Sequence, residues 1–245
     1  MPRYFIEVAY KGTNYAGFQI QDNANTIQSE IEKALSTYFR NAFSLTGSSR
    51  TDAGVHAKQN FFHFDSDQLN NQLDFAKAIY HLNAILPLDI VIKSINQVNE
   101  EAHCRFDAKS RTYEYMIYQN KNPFLQDTAF FYPFKLDFEL LQTLASELKK
   151  HSNFESFSKR STQVHTFNCI IHSSEWIFNE EILSYKVTAN RFLRGMVKGL
   201  VGTMLKSVSK KQSINQFQSI VTSKNPAKVD FSVPSHGLTL LQVNF

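Results

Sequence analysis

From Gly47 the chain reads Gly-Ser-Ser-Arg-Thr-Asp-Ala-Gly-Val-His-Ala. This places a carboxylate, Asp52, two residues from a guanidinium, Arg50. Small residues on either side let a large substrate approach the backbone. A carboxylate on such a loop can serve as nucleophile or general base. The same pattern also fits an ordinary Asx-turn with a structural aspartate.

Two further segments carry chemistry. From Asn190 to Val208, the pairs Phe192/Leu193, Met196/Val197, Leu200/Val201 and Met204/Leu205 recur every four residues. That spacing predicts a helix with a wide buried stripe, on which Arg194 and Lys198 are i,i+4 neighbours projecting from one side. Gly195, Gly199 and Gly202 fall in the same run. Each glycine costs a helix interior about 1 kcal/mol relative to alanine, so a second backbone or a ligand is expected to pack close. A buried Lys198 needs a carboxylate partner, and Asp52 is the candidate. Arg105 to Tyr115 interleaves cations with aromatics, a mixture that grips phosphates and stacks bases. It equally fits one strand of a half-buried sheet.

The elements that must position these groups follow from periodicity. Strands are expected at Tyr4–Tyr10, Asn60–Phe64, Ile90–Val98 and Thr112–Tyr118, with a hairpin at 170–189 turning at Asn179-Glu180-Glu181 and a closing strand at Leu238–Phe245. Helices are expected after the N-cap Thr26, at Leu73–Leu82, Asp137–Lys150, Phe192–Val208 and Ile214–Thr222. Strands and helices in mixed order in each half predict an α+β protein of two lobes, 1–103 and 104–245, with a largely antiparallel sheet.

The chain has 245 residues, of which 42% are hydrophobic and 20% charged, as in folded proteins. The net charge of +4 (26 − 22) is unevenly spread. Residues 1–103 hold 8 basic and 11 acidic side chains, and residues 104–245 hold 18 and 11. No acid occurs between Glu181 and Asp230, a stretch with nine cations: Lys186, Arg191, Arg194, Lys198, Lys206, Lys210, Lys211, Lys224 and Lys228. Such a field suits a polyanion, and Arg191 and Arg194 are candidate substrate contacts. Two cysteines, Cys104 and Cys169, are too few for a disulfide framework and are expected to be reduced thiols in a cytoplasmic protein. Cys169 and His172 would point to opposite faces of a strand, so no metal is expected. The most apolar run, Phe192–Val208, carries three cations, so no membrane span is expected. Nor does the sequence start like a signal peptide.

Taken together, these segments resemble the tRNA pseudouridine synthase A family. The motif Arg50-Thr51-Asp52-Ala53-Gly54-Val55-His56-Ala57 carries the resemblance most specifically. Tyr10-Lys11-Gly12, Gly17-Phe18-Gln19-Ile20-Gln21, Thr26-Ile27-Gln28, His103 to Ala108, Arg111 to Tyr115, and Phe192 to Lys198 with Val201-Gly202-Thr203 follow in the family's order. The resemblance implies the pseudouridine synthase α+β fold, with two lobes around a continuous antiparallel sheet and a cleft between them. It implies conversion of uridine to pseudouridine at positions 38 to 40 in the anticodon stem-loop of tRNA, by a homodimer needing neither metal nor organic cofactor. It assigns catalysis to Asp52, displacement of the target nucleotide to Arg50, stacking on the uracil to Tyr113, and the cation beside the aspartate to Lys198.

Three positions depart from the family pattern. Ser49 replaces a glycine, Phe18 a tryptophan, and Lys198 the more usual arginine, keeping the charge without the bidentate fork. The first two bear on local RNA contacts more than on the chemistry. A non-catalytic tRNA-binding or chaperone protein on the same fold would share the charge pattern but would not need Asp52. A two-carboxylate glycosidase lacks a second acid in a recognisable motif.

Overall fold

The computed structural model describes residues 1–67, 69, 74–159 and 166–245. These divide into two compact units: residues 1–109 with 240–245, and residues 110–239. Both are α+β, with helices on mostly antiparallel strands.

In the first unit, β1 (Arg3–Tyr10) buries Tyr4, Ile6, Val8 and Tyr10 in strict alternation, the period by which a strand covers a core with one face. Helix α1 (Ile27–Phe39) begins with a capping box. The Thr26 hydroxyl accepts from Ser29 N, and Ser29 Oγ accepts from Thr26 N, satisfying two orphan donors of the first turn. The helix buries Ile27, Ile31, Ala34 and Leu35. β2 (Thr46–Gly47) pairs with β3 (His56–Asp65). Helix α2 (Phe75–Ile85) starts at the N-cap Asp74, whose carboxylate accepts from Lys77 N at 3.0 Å. Leu73, the expected start, lies outside the described residues. β4 (Ile90–Val98) completes the order β4-β1-β3, antiparallel at each step.

In the second unit, β5 (Ser110–Tyr118) carries the short parallel β6 (Phe130–Phe131). Helix α3 (Phe138–Glu147) packs on β7 (Ile171–Asn179). β7 and β8 (Ile182–Ala189) form the expected hairpin, with Glu180 in the left-handed region at φ 52°. The order is β5-β8-β7, antiparallel. Helix α4 (Met196–Ser209) is almost wholly buried, and α5 (Ile214–Thr222) caps on Ser213.

Two expectations about α4 are corrected. It starts at Met196, not at Phe192, because Gly195 sits at φ +74°, a left-handed conformation that a continuing α-helix does not admit. Arg194 therefore precedes the helix, and its carbonyl accepts Lys159 N at 3.1 Å, so Arg194 and Lys198 do not share a helix face. Gly199 and Gly202 do mark a close approach. A Cβ on Gly202 would lie 2.3 Å from Asp230 O, and one on Gly199 2.8 Å from the Phe231 ring.

The charge pattern is also redistributed. Lys186 on β8 is in register with Glu114 on β5 and Glu175 on β7, and Lys206 reaches Asp230 at 3.8 Å. Two of the nine cations, Lys186 and Lys206, thus have an acid nearby.

Finally, β9 (Leu238–Asn244) brings residues 240–245 back to the first unit. There Gln59 Oε1 accepts from Val243 N at 3.0 Å, and Phe245 packs against Phe5 and Phe61.

Candidate active site

Asp52 lies on the connection from β2 to β3, and the first unit holds that connection from three sides. From β3, the side chain of Asn60, fully buried, donates to Ser49 O at 2.8 Å and accepts from Ser49 N at 3.3 Å. From β1, Tyr10 shares a 2.8 Å hydrogen bond with the buried Thr51 hydroxyl, and Asn60 Nδ2 donates to Tyr10 Oη at 3.1 Å. From the segment after β1, Phe18 N donates to Thr51 O at 3.1 Å and Gly12 N to His56 Nδ1 at 2.9 Å.

The backbone packs tightly there. A Cβ on Gly12 would fall 2.1 Å from Val55 O. Val55 N donates to Asp52 O at 3.1 Å, and Gly54 takes φ +77°. That combination is a β-turn whose third residue needs the left-handed region. Asp52 is half-buried and Arg50 exposed, while Thr51 between them points inward. The loop thus holds a carboxylate on a preorganised backbone.

Phe18 and Ser49, the two departures noted above, are both interior. Phe18 stacks on Phe62 with centroids 4.3 Å apart and planes 12° off parallel. They shape the loop from behind.

The second unit holds the other candidates. Tyr113 on β5 is buried, its ring edge-to-face with Phe192 at 5.0 Å. Lys198, in the first turn of α4 and half-buried, donates to Ser235 Oγ at 3.2 Å. Arg191 N donates to Asn190 Oδ1 at 2.9 Å, and the Arg194 side chain is exposed. The segment from Arg105 to Tyr115 divides: Arg105 and Phe106 stand exposed on a loop of the first unit, whereas Arg111 to Tyr115 lie in β5.

His63, His103 and Cys104 bring one potential ligand atom each within 4.8 Å of one another, a grouping that sequence spacing did not reveal. Both Nδ1 atoms are already engaged. His103 Nδ1 accepts from Arg105 N at 3.1 Å, and His63 Nδ1 lies 3.1 Å from Cys104 Sγ and accepts from Cys104 N at 3.4 Å. The cluster is a hydrogen-bonded set. Burial, with the nearby His103 and Arg3, pushes His63 down to about 4. Burial likewise pushes the Cys169 thiol up to about 11. No helix among the described residues is long and apolar enough to cross a membrane.

The family model for tRNA pseudouridine synthase matches residues 6–107 and 145–245. The chain belongs to the tRNA pseudouridine synthase family. Within it, the chain is 40% identical over 245 residues to tRNA pseudouridine synthase A of Parabacteroides distasonis, covering 100% of this chain and 96% of that protein. It is 40% identical to the Porphyromonas gingivalis protein of that name, over 99% of this chain and 97% of the relative. The Staphylococcus aureus tRNA pseudouridine synthase A is 32% identical, with 98% and 90% covered. The family match includes the whole Asp52 loop and the clamps around it. Of these clamps, Asn60 escaped the sequence reading. Its signal was an amide in an otherwise aromatic strand, Asn60-Phe61-Phe62-His63-Phe64.

Proposed function

We propose that this chain is a cytoplasmic tRNA pseudouridine synthase that isomerises uridines in the anticodon stem-loop, at positions 38 to 40, with Asp52 as the catalytic residue. In the reaction the N1–C1′ glycosidic bond breaks, the uracil turns, and C5 joins C1′. N1 gains a proton and C5 loses one, so no net redox or group transfer occurs. A base inside a stem cannot be reached there, so the nucleotide leaves the stack at a cost of a few kcal/mol. Contacts to phosphates from Arg191 and Arg194 offset part of that cost, and Arg50 occupies the gap left by the displaced nucleotide.

A single ionised carboxylate begins the chemistry, by attack on the ribose or the base or by removal of a ribose proton. Lys198 supplies the cation that the resemblance to the family assigns to this step. Tyr113 offers the aromatic face on which the uracil turns. The enzyme acts as a homodimer, like the family it resembles.

The observation that carries the proposal is the clamped Asp52 loop. Three separate elements fix its backbone while leaving Arg50 exposed and Asp52 half-buried, and preorganisation of this kind is what positioned catalysis requires. The test is tritium release from C5-labelled tRNA. Asp52→Asn abolishes release and leaves tRNA affinity roughly intact, and Lys198→Ala lowers turnover more than binding. Near-normal release from Asp52→Asn would overturn the assignment.

A further inference from the structure

A cavity of about 240 Å³ opens in the first unit beside the Asp52 loop. Its back wall is the ring of Phe18 against Gly47, so close that a Cβ on Gly47 would lie 2.3 Å from Phe18 Cε1. Arg50, His103, Arg105 and Phe106 also line it. Neither Thr51 nor Asp52 is among the described residues that line it.

The lining has the chemistry of a nucleotide site. Phe106 presents its ring to solvent at 73% exposure. The Arg105 guanidinium lies 5.7 Å from the centre of that ring, a cation–π geometry that extends the stacking surface. The ledge is also rigid. His103 packs on Phe106 with centroids 4.2 Å apart, and its Nδ1 accepts from both Arg105 N and Phe106 N. Asp107 Oδ2 accepts from His103 N at 2.7 Å.

Of the two glutamines in the lining, Gln28 is committed. Its amide nitrogen donates to Glu32 and to Leu45 O, and its oxygen accepts from Ile20 N. Gln19 is exposed, with its amide available to a base edge. Among the described residues, two guanidiniums and no carboxylate line the space, which favours a phosphate.

We infer that this cavity binds a second, non-reacting nucleotide of the substrate RNA, its base stacked on Phe106 and its phosphate held by Arg105. An unpaired base on an aromatic ring beside an arginine is a common way for proteins to hold single-stranded RNA. The site would capture a neighbour of the displaced uridine and so set which register of the stem-loop is presented to Asp52. This rests on reading the chain as a tRNA-modifying enzyme, and the test below keeps the two apart.

Binding of an unmodified tRNA transcript is measured across a salt series with the full chain carrying Asp52→Asn, so that no turnover intervenes. In that background Phe106→Ala weakens binding about tenfold, as loss of one stacked base does, without changing the slope of log K against log salt. Phe106→Tyr restores affinity. Arg105→Gln lowers the slope by about one, the signature of a lost phosphate contact. Affinity of Phe106→Ala within twofold of the parent, failure of Tyr to restore it, or an unchanged slope for Arg105→Gln would each overturn the inference. If the wild-type chain binds tRNA with these dependences but releases no tritium, the proposed function fails and the nucleotide site stands. If tritium release is normal and Phe106 is silent, only the site fails.

Discussion

Asn60 and Ser49 form a closed pair: the Asn60 amide donates to Ser49 O at 2.8 Å, and its carbonyl oxygen accepts from Ser49 N at 3.3 Å. One buried side chain thus ties down both polar groups of the residue before Arg50. Its Nδ2 also reaches Tyr10 Oη, which shares a hydrogen bond with Thr51 Oγ1. The backbone leading to the candidate catalytic carboxylate is therefore set by a polar network inside the first unit.

Replacing Asn60 with Leu leaves the Ser49 backbone and the Tyr10 hydroxyl without their partner in a buried place. Each orphaned group costs about 1–3 kcal/mol, so a loss of about 3 kcal/mol is expected in urea denaturation. Tritium release at saturating tRNA should fall at least tenfold while tRNA affinity changes less, since the fault lies in the positioning of Asp52. Unchanged turnover in a folded Asn60→Leu protein would remove this positioning role.

His63 supplies a pH dependence. Burial lowers its folded-state pKa to about 4, below the unfolded value of about 6.5. Between these values the unfolded chain binds the proton that the folded chain refuses, so stability falls as pH drops from about 6.5 toward 4. The slope from this one group reaches about 1.4 kcal/mol per pH unit. Above pH 6.5 its contribution is constant. Denaturation at pH 7.0, 5.5 and 4.5 should show a shallower decline for His63→Asn than for the wild type.

Gly202 offers the sharpest packing test. An added methyl group would sit 2.3 Å from Asp230 O, a backbone atom that cannot swing away as a side chain can. Gly202→Ala should gain helix propensity yet lose about 1–3 kcal/mol through overpacking, seen as a lowered thermal midpoint. A raised midpoint would show that the strand of chain at 229–231 yields easily.

Much of this architecture was legible because local rules governed it. The Thr26 cap, the alternation along β1 and the turn at Glu180 each depend on a few adjacent residues, and the helices and strands stand close to where those residues put them. The start of α4 was misread because Phe192 and Leu193 keep the helical spacing while Gly195 leaves the helical conformation. That choice is tied to Lys159 N, which donates to Arg194 O from a distant segment. One neighbourhood in the acid-free stretch was not readable for a related reason: Glu114 and Glu175 lie far from Lys186 in sequence but beside it in the sheet. At the candidate site, the motif itself was readable, whereas the Asn60 clamp required the pairing of a strand with a loop.

The first unit is discontinuous in the chain, and this bears on how the protein is made. Residues 240–245 belong to it, with Phe245 against Phe5 and Phe61 and with Asn244 O accepting from Lys109 N at 2.8 Å. Residues 110–239, the whole of the second unit, are synthesised in between. On the ribosome, the contiguous second unit can complete its own fold first. The earlier-made unit, with the Asp52 loop, waits for its last strand, held open by a long loop closure. A nascent chain would therefore complete the first unit only after the whole of the second has been made.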